Sequence, residues 1–145
     1  MHSKVAASPV FPGFRVTVVC SLAASLLALP LLAYSQKEQP GMAEMRSAES
    51  FAALAADAQR REEVRANLQQ ALNYLEGPQG ADFRRSAGDP CSGAGAVRDL
   101  PGGSINKIRV EKAIRLAAVG VTFHDFDPAH FTAEAVRAVL REGIR

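Results

Sequence analysis

Residues 127–145 read DPAHFTAEAVRAVLREGIR, and this stretch has the clearest amphipathic pattern in the chain. Asp127 is the expected cap of a helix there, and Pro128 takes the first helical position, where its missing N–H costs no hydrogen bond. Apolar residues recur at helical spacing on one face, and charged residues recur on the opposite face. The apolar face consists of Val136, Val139, Leu140 and Ile144, and the charged face consists of Glu134, Arg137, Arg141 and Arg145. A helix with this pattern is expected to pack its apolar face into a core.

A second helix is predicted just upstream, over residues 105–119, with Ser104 as its N-cap and Gly120 as the residue that ends it. Its large apolar residues lie on two sides. One side holds Ile105, Ile108, Leu116 and Val119, and the other holds Val110 and Ile114. This distribution predicts that the helix is buried on both sides. Residues 121–126 are short and β-like, because Val121 and Phe123 alternate with Thr122 and His124.

The N-terminal half carries a long helix, predicted over residues 47–76 because good helix formers dominate this stretch. Ser47 is its candidate N-cap, and Gly77 followed by Pro78 ends it. An apolar stripe at helical spacing follows its second half and consists of Val64, Leu68, Leu72 and Leu75. The middle of the helix is polar all round, so its two halves are expected to pack against different surroundings. Residues 36–46 are predicted to form a polar tether in front of it.

Residues 77–104 separate the N-terminal helix from the two C-terminal ones. They contain seven Gly, three Pro and three Ser, which predicts an irregular loop of weak local stability. The expected fold is therefore all-α. It is a small single domain, residues 47–145, of about three helices with a long Gly/Pro-rich loop.

The first 35 residues have the layout of an export signal. Residues 16–33 read VTVVCSLAASLLALPLLA and carry no charge, and the basic residues Lys4 and Arg15 precede them. Ala33 and Ser35 supply the small side chains that a signal peptidase needs for cleavage before Gln36. The sequence therefore predicts a cleaved signal peptide and a secreted or periplasmic protein.

An uncleaved membrane anchor is the alternative interpretation of the same leader. Residues 16–33 are just long enough to cross a bilayer. The basic residues before them would then stay in the cytoplasm, which places residues 36–145 outside. If the leader is not cleaved, the membrane is contacted only through residues 16–33.

The charge balance argues against nucleic-acid binding. The chain has 17 basic and 15 acidic residues, and two of the basic ones, Lys4 and Arg15, belong to the leader. Export leaves 15 residues of each sign, whereas a nucleic-acid-binding domain needs a clustered basic face. We therefore expect no nucleic-acid partner.

The densest cluster of potential metal ligands is HDFDPAH, residues 124–130. It contains His124, Asp125, Asp127 and His130, and imidazole and carboxylate groups are the usual ligands of zinc and similar cations. A turn at Asp127 is needed to bring the two histidines together. The alternative is a helix cap followed by surface histidines. No cofactor other than this possible divalent metal is expected.

Cys91 is the only cysteine after the leader, so it cannot form a disulfide within the exported chain. It is a candidate reactive thiol, with His124 or His130 as the base. The alternative is an unreactive cysteine in the loop or buried in the core. No assembled set of catalytic residues is recognisable, which favours a non-catalytic protein. Two hypotheses follow: an exported helical protein that binds a protein partner or itself, and a small metal-binding protein that uses residues 124–130.

Overall fold

Five α-helices make up the regular structure of the residues that the computed structural model describes, which are 39–88 and 93–145. They are α1 (Pro40–Asp57), α2 (Arg61–Glu76), the single-turn α3 (Ala96–Asp99), α4 (Ile105–Gly120) and α5 (Phe126–Ile144), with a 3₁₀ turn at Arg85–Ala87. No strand occurs within the described ranges, and residues 121–125 form a turn rather than the β-like segment expected. The all-α prediction is confirmed, although the helices are more numerous than the three expected.

The long N-terminal helix predicted over 47–76 is two helices. α1 begins at Pro40, so residues 40–46 of the predicted tether are helical and Ser47 is not an N-cap. Ser47 lies inside α1, where its hydroxyl donates to the Ala43 carbonyl at 3.2 Å. The start at Pro40 is favourable because a first-turn N–H has no helical partner to lose.

The break between α1 and α2 falls in the polar stretch that the sequence analysis singled out. Ala58 and Arg60 both have extended backbone angles, and Arg60 pairs with Glu63 in the first turn of α2. This break allows α2 to pack against α1, with Phe51 stacked on Tyr74 at a ring-centroid distance of 5.6 Å. The apolar stripe of α2 is fully buried as predicted, at Val64, Leu68, Leu72 and Leu75.

The caps of the two C-terminal helices follow the sequence signals in part. The Ser104 hydroxyl accepts the Lys107 N–H at 3.2 Å, which confirms Ser104 as the N-cap of α4. α5 begins two residues earlier than predicted, at Phe126, and Asp125 occupies its N-cap position without a side-chain hydrogen bond. Asp127 instead lies in the first turn, where its charge suits the helix dipole. The apolar face of α5 is buried at Val136 and Leu140.

Small residues allow the helices to approach one another closely. Ala113, Ala117 and Gly120 are buried on α4, and Ala129 and Ala133 are buried on α5. Gly120 was predicted to follow the end of α4 as a left-handed residue. It is instead the last residue of the helix itself. A Cβ on Gly120 would lie 2.8 Å from Leu68 Cδ1 and 2.8 Å from Thr132 Cγ2. The glycine therefore serves the packing of α4 against α2 and α5.

The predicted irregular segment 77–104 is attached to the helices by buried amides. Asn73, which is 1 % exposed, donates to the carbonyls of Arg84 (2.8 Å) and Gly88 (2.6 Å) and accepts the Arg84 N–H at 3.0 Å. Gln69 donates to the Asp82 carbonyl at 2.8 Å, and the Glu76 carboxylate accepts the Asp82 N–H at 2.8 Å. Buried polar groups of α2 thus provide the partners that the loop backbone needs.

Two glycines bring the ends of this segment together. Gly77 has φ +72°, as its predicted role at the end of α2 requires, and Gly95 has φ +104°. A Cβ on Gly77 would lie 2.7 Å from the Gly95 nitrogen, and a Cβ on Gly95 would meet the backbone of Glu76. The chain segments at Gly77 and Gly95 therefore pass so close to each other that neither position has room for a side chain.

The predicted leader and anchor, residues 1–35, lie outside the described residues. Within the described ranges, no helix has the length and apolar character needed to cross a membrane.

Candidate functional site

The four residues of the predicted metal cluster lie around the start of α5. His124 and Asp125 are exposed in the turn before the helix, and Asp127 is exposed in its first turn. His130 is half-buried one turn later, with its Nε2 2.8 Å from the Ala56 carbonyl oxygen and its ring stacked on Phe126. One histidine is therefore in solvent, and the other is bonded to the end of α1.

This arrangement does not gather the predicted ligands. No three His, Cys, Asp or Glu side chains in the described part of the chain are close enough together to hold a metal ion. The Nε2 atom of His130 already has a hydrogen-bond partner in the Ala56 carbonyl. Cys91, the candidate reactive thiol, lies outside the described residues. The metal and thiol hypotheses thus stay predictions.

A pair of carboxyl groups that the sequence analysis did not identify lies between α1 and α3. Glu44 is 1 % exposed, and its Oε1 accepts the Gly95 N–H at 3.3 Å. Asp99 Oδ2 accepts the Ala94 N–H at 3.0 Å. Both carboxyl groups lie under Gly93, where a Cβ would come into contact with Glu44 Oε1 and within 2.7 Å of Asp99 Oδ2. The backbone of residues 93–95 therefore covers two adjacent acids.

Glu44 is protonated more readily than an ordinary glutamic acid. Its second oxygen, Oε2, is buried and has no donor among the described residues. Burial raises the pKa of Glu44 from 4.5 to about 7, the Gly95 N–H opposes this, and the neighbouring Asp99 carboxylate adds to the increase. A proton on Glu44 turns this acid into a hydrogen-bond donor toward Asp99. We therefore expect the contact between α1 and α3 at these two acids to depend on pH.

The exposed face of α4 is the second feature that the sequence analysis did not predict. Ile105, Ile108 and Val119 are 59 %, 52 % and 53 % exposed, although this side of the helix was expected to be buried. The buried side of α4 consists of Val110, Ala113, Ala117 and Gly120. The correction has a steric reason: small residues let α4 pack closely, so the bulky side chains are left on the outside.

The exposed residues of α4 form one continuous row. We call this row the α4 seam, and it consists of Ile105, Ile108, Lys112, Arg115 and Val119, all exposed. Steps of three and four residues separate them, so they share one face of the helix. Neither Lys112 nor Arg115 has an ion-pair or hydrogen-bond partner in residues 39–88 and 93–145. The seam is apolar at its ends and positively charged in its middle.

Of these two features, only the α4 seam had a signal in the sequence, and that signal was weak. The helical spacing of the seam residues is visible in the sequence. The prediction that this face points into the core was wrong, because Ile105 and Ile108 are more hydrophobic than Ala113 and Ala117, which are the residues that are buried. For the acid pair no local signal exists, since Glu44 and Asp99 are far apart in the chain.

Comparison of the chain with known protein families, with characterised proteins and with solved structures finds no match.

Proposed function

We propose that this chain is an exported, non-catalytic helical protein that binds a protein partner through the α4 seam. The observation that carries the proposal is the exposure of Ile105, Ile108 and Val119 on one face of one helix. Single exposed aliphatic residues are common on protein surfaces, but three that share one face of one helix fit an interaction site. A partner that covers these residues removes apolar surface from water, which contributes a favourable binding free energy of about 25 cal/mol per Å² buried.

The leader supports the location in this proposal. The charge-free stretch 16–33, the basic residues before it and the small residues at 33 and 35 are those of a cleaved signal peptide. The mature chain would then begin at Gln36 and act in the periplasm or outside the cell. Retention of residues 16–33 as an anchor would leave the α4 seam on the same side of the membrane.

Site-specific photo-cross-linking tests the binding role. A photoreactive amino acid replaces Ile108 in the seam, and in a matched control it replaces Ala66, an exposed position on α2. In intact producing cells, irradiation should yield a discrete adduct from position 108 and none from position 66. Introducing Ile105→Asp beside the probe should abolish this adduct. Equal labelling from both positions, or no adduct at all, would refute the proposal.

A metal-binding role for His124, Asp125, Asp127 and His130 is the alternative that the sequence offers. It lacks an observation comparable to the exposed seam, and direct metal titration decides it.

A further inference from the structure

The spacing of the α4 seam is that of a helix-pairing surface. Ile105, Ile108, Lys112, Arg115 and Val119 follow one another in steps of three, four, three and four residues. This is the a/d spacing of a coiled coil, in which each side chain of the seam inserts between four side chains of a facing helix. A second helix laid along α4 would contact all five residues at once.

The two cations determine what such a helix must carry. Lys112 and Arg115 occupy the middle of the seam and have no ion-pair partner in the part of the chain that the structure describes. An apolar partner would remove both charges from water without compensation, which is costly. Carboxylates at the facing positions would instead form charge-assisted hydrogen bonds in a partly desolvated contact.

Resting on the proposed function, we infer that the partner of the α4 seam is an amphipathic helix with apolar residues at the ends of its contact face and carboxylates in the middle. Ile105 and Ile108 would pack against one apolar end, and Val119 against the other. Lys112 and Arg115 would pair with the central acids. Polar residues at the centre of a helix-pairing seam are a known means of fixing register and partner.

A second copy of this chain fits the seam poorly. A symmetric pairing that uses the whole seam brings the Lys112 and Arg115 side chains of both copies together in the middle of the contact. The seam residues include no acid to separate these four cations, and like charges in a helix interface disfavour that partner.

A lipid surface fits the distribution of charge less well. Helices that lie on membranes bury an apolar face and keep Lys and Arg on the opposite, polar face. In α4 the order along one face is apolar, cationic, apolar, so the two cations stand inside the apolar row. This order suits a facing helix with matching positions.

Three synthetic probes test the inference with the purified protein. Two are helical peptides of about three heptads with leucine at the outer seam positions, and they differ only in having glutamate or lysine at the central ones. The third probe is a set of vesicles rich in phosphatidylglycerol. Fluorescence anisotropy measures peptide binding, and co-sedimentation measures binding to the vesicles.

The glutamate peptide should bind at least about tenfold more tightly than the lysine peptide at low ionic strength. The double variant Lys112→Glu/Arg115→Glu should reverse this preference. The matched control Arg141→Glu/Arg145→Glu, which makes the same change in net charge at exposed positions in and just after the last turn of α5, should keep it. Circular dichroism establishes that the variants fold alike.

Four results would overturn the inference. They are equal binding of the two peptides, absence of peptide binding, sedimentation of the purified protein as a dimer that Ile108→Asp dissociates, and vesicle binding that the glutamate peptide does not displace. The adduct from position 108 separates these failures from failure of the proposed function. A seam-dependent adduct with no preference for the acidic peptide leaves protein binding intact and removes only the acidic helix.

Discussion

Gly120 of α4 lies so close to the side chain of Leu68 on α2 that a Cβ on the glycine would stand 2.8 Å from Leu68 Cδ1. Leu68 is fully buried and cannot move aside without disturbing the core. Contact of this kind between a helical glycine and a leucine sets how closely α4 approaches α2.

Gly120→Ala should therefore destabilise the protein. In an exposed helix this change gains about 1 kcal/mol from helix propensity. Here the added methyl group overpacks the contact with Leu68 and Thr132, which costs about 1–3 kcal/mol. Chemical denaturation should show a lower midpoint. Gly102→Ala, at a position where a Cβ meets nothing within 4 Å, is the control and should be neutral. A more stable Gly120→Ala variant would show that α4 is not held by this contact.

The Glu44–Asp99 pair predicts that stability falls as the pH rises. The folded state raises the pKa of Glu44 from 4.5 to about 7, so it binds more protons than the unfolded chain between these values. The stability that protonated Glu44 contributes is complete below about pH 4.5, declines as the pH rises to 7 and is absent above pH 7. Each unit of the pKa increase corresponds to about 1.4 kcal/mol.

Glu44→Gln should reduce this pH dependence, leaving the part that comes from the pKa of Glu76, which burial also raises. It should be more stable than the parent at pH 8, because the amide stays neutral and can donate to Asp99. Thermal melts at several pH values from 5 to 8 measure the effect. Glu134→Gln, an exposed acid on α5, should behave like the parent. Parallel pH profiles of the parent and Glu44→Gln would contradict the prediction.

Asn73→Ala should release the loop that follows α2. The Asn73 side chain forms three hydrogen bonds with the backbone of Arg84 and Gly88. Each contributes about 1 kcal/mol to the stability of the folded state. Trypsin should then cut after Arg84 and Arg85 much faster than in the parent. Asn67→Ala, on the same helix, provides the comparison. Unchanged cleavage rates would mean that other contacts hold residues 84–88.

Zinc should leave the melting temperature unchanged, because His130 Nε2 is bonded to the Ala56 carbonyl while His124 is exposed in the turn before α5. His124→Ala should be silent. His130→Ala should cost about 1 kcal/mol by leaving the Ala56 carbonyl without its partner. Calorimetry with zinc, copper and nickel at neutral pH checks this. A zinc-dependent increase in melting temperature that both variants abolish would establish the metal site instead.

The exported chain should begin at or near Gln36. Small residues at positions 33 and 35 follow the charge-free stretch, as signal peptidase cleavage requires. Intact-mass measurement of the protein recovered from outside the cytoplasm determines the N-terminus. A full-length chain that stays with the membrane after an alkaline wash would favour the anchor.

The parts of the fold that could be predicted from sequence are those with local causes. Ser104 caps α4 because its hydroxyl reaches the Lys107 N–H three residues on, and Gly77 ends α2 because it adopts a positive φ. Val136 and Leu140 are buried because their spacing places them on one face of a long helix. Short-range geometry and periodicity decide all of these.

The parts that could not be predicted depend on distant residues. The break at Ala58 contains neither Gly nor Pro, and it forms because α2 packs back on α1. Which face of α4 is buried depends on how Ala113, Ala117 and Gly120 fit against other helices. These residues are too weakly hydrophobic for the sequence pattern to mark them as the buried face. The pKa of Glu44 is raised chiefly because packing between α1 and residues 93–99 buries its carboxyl group, and further because Asp99 lies beside it.

Because the backbones at Gly77 and Gly95 are in contact, the chain between these two residues is a loop whose ends lie side by side. Its two ends are fixed beside each other whatever its length, and lengthening a closed loop costs only about 0.6 kcal/mol for each doubling. A foreign sequence inserted between these ends would not pull α2 and α3 apart, provided that the hydrogen bonds from Asn73, Gln69 and Glu76 to residues 82–88 are kept. The segment is therefore where the protein can best accept an inserted tag or domain, or gain length in evolution, provided that both glycines are kept.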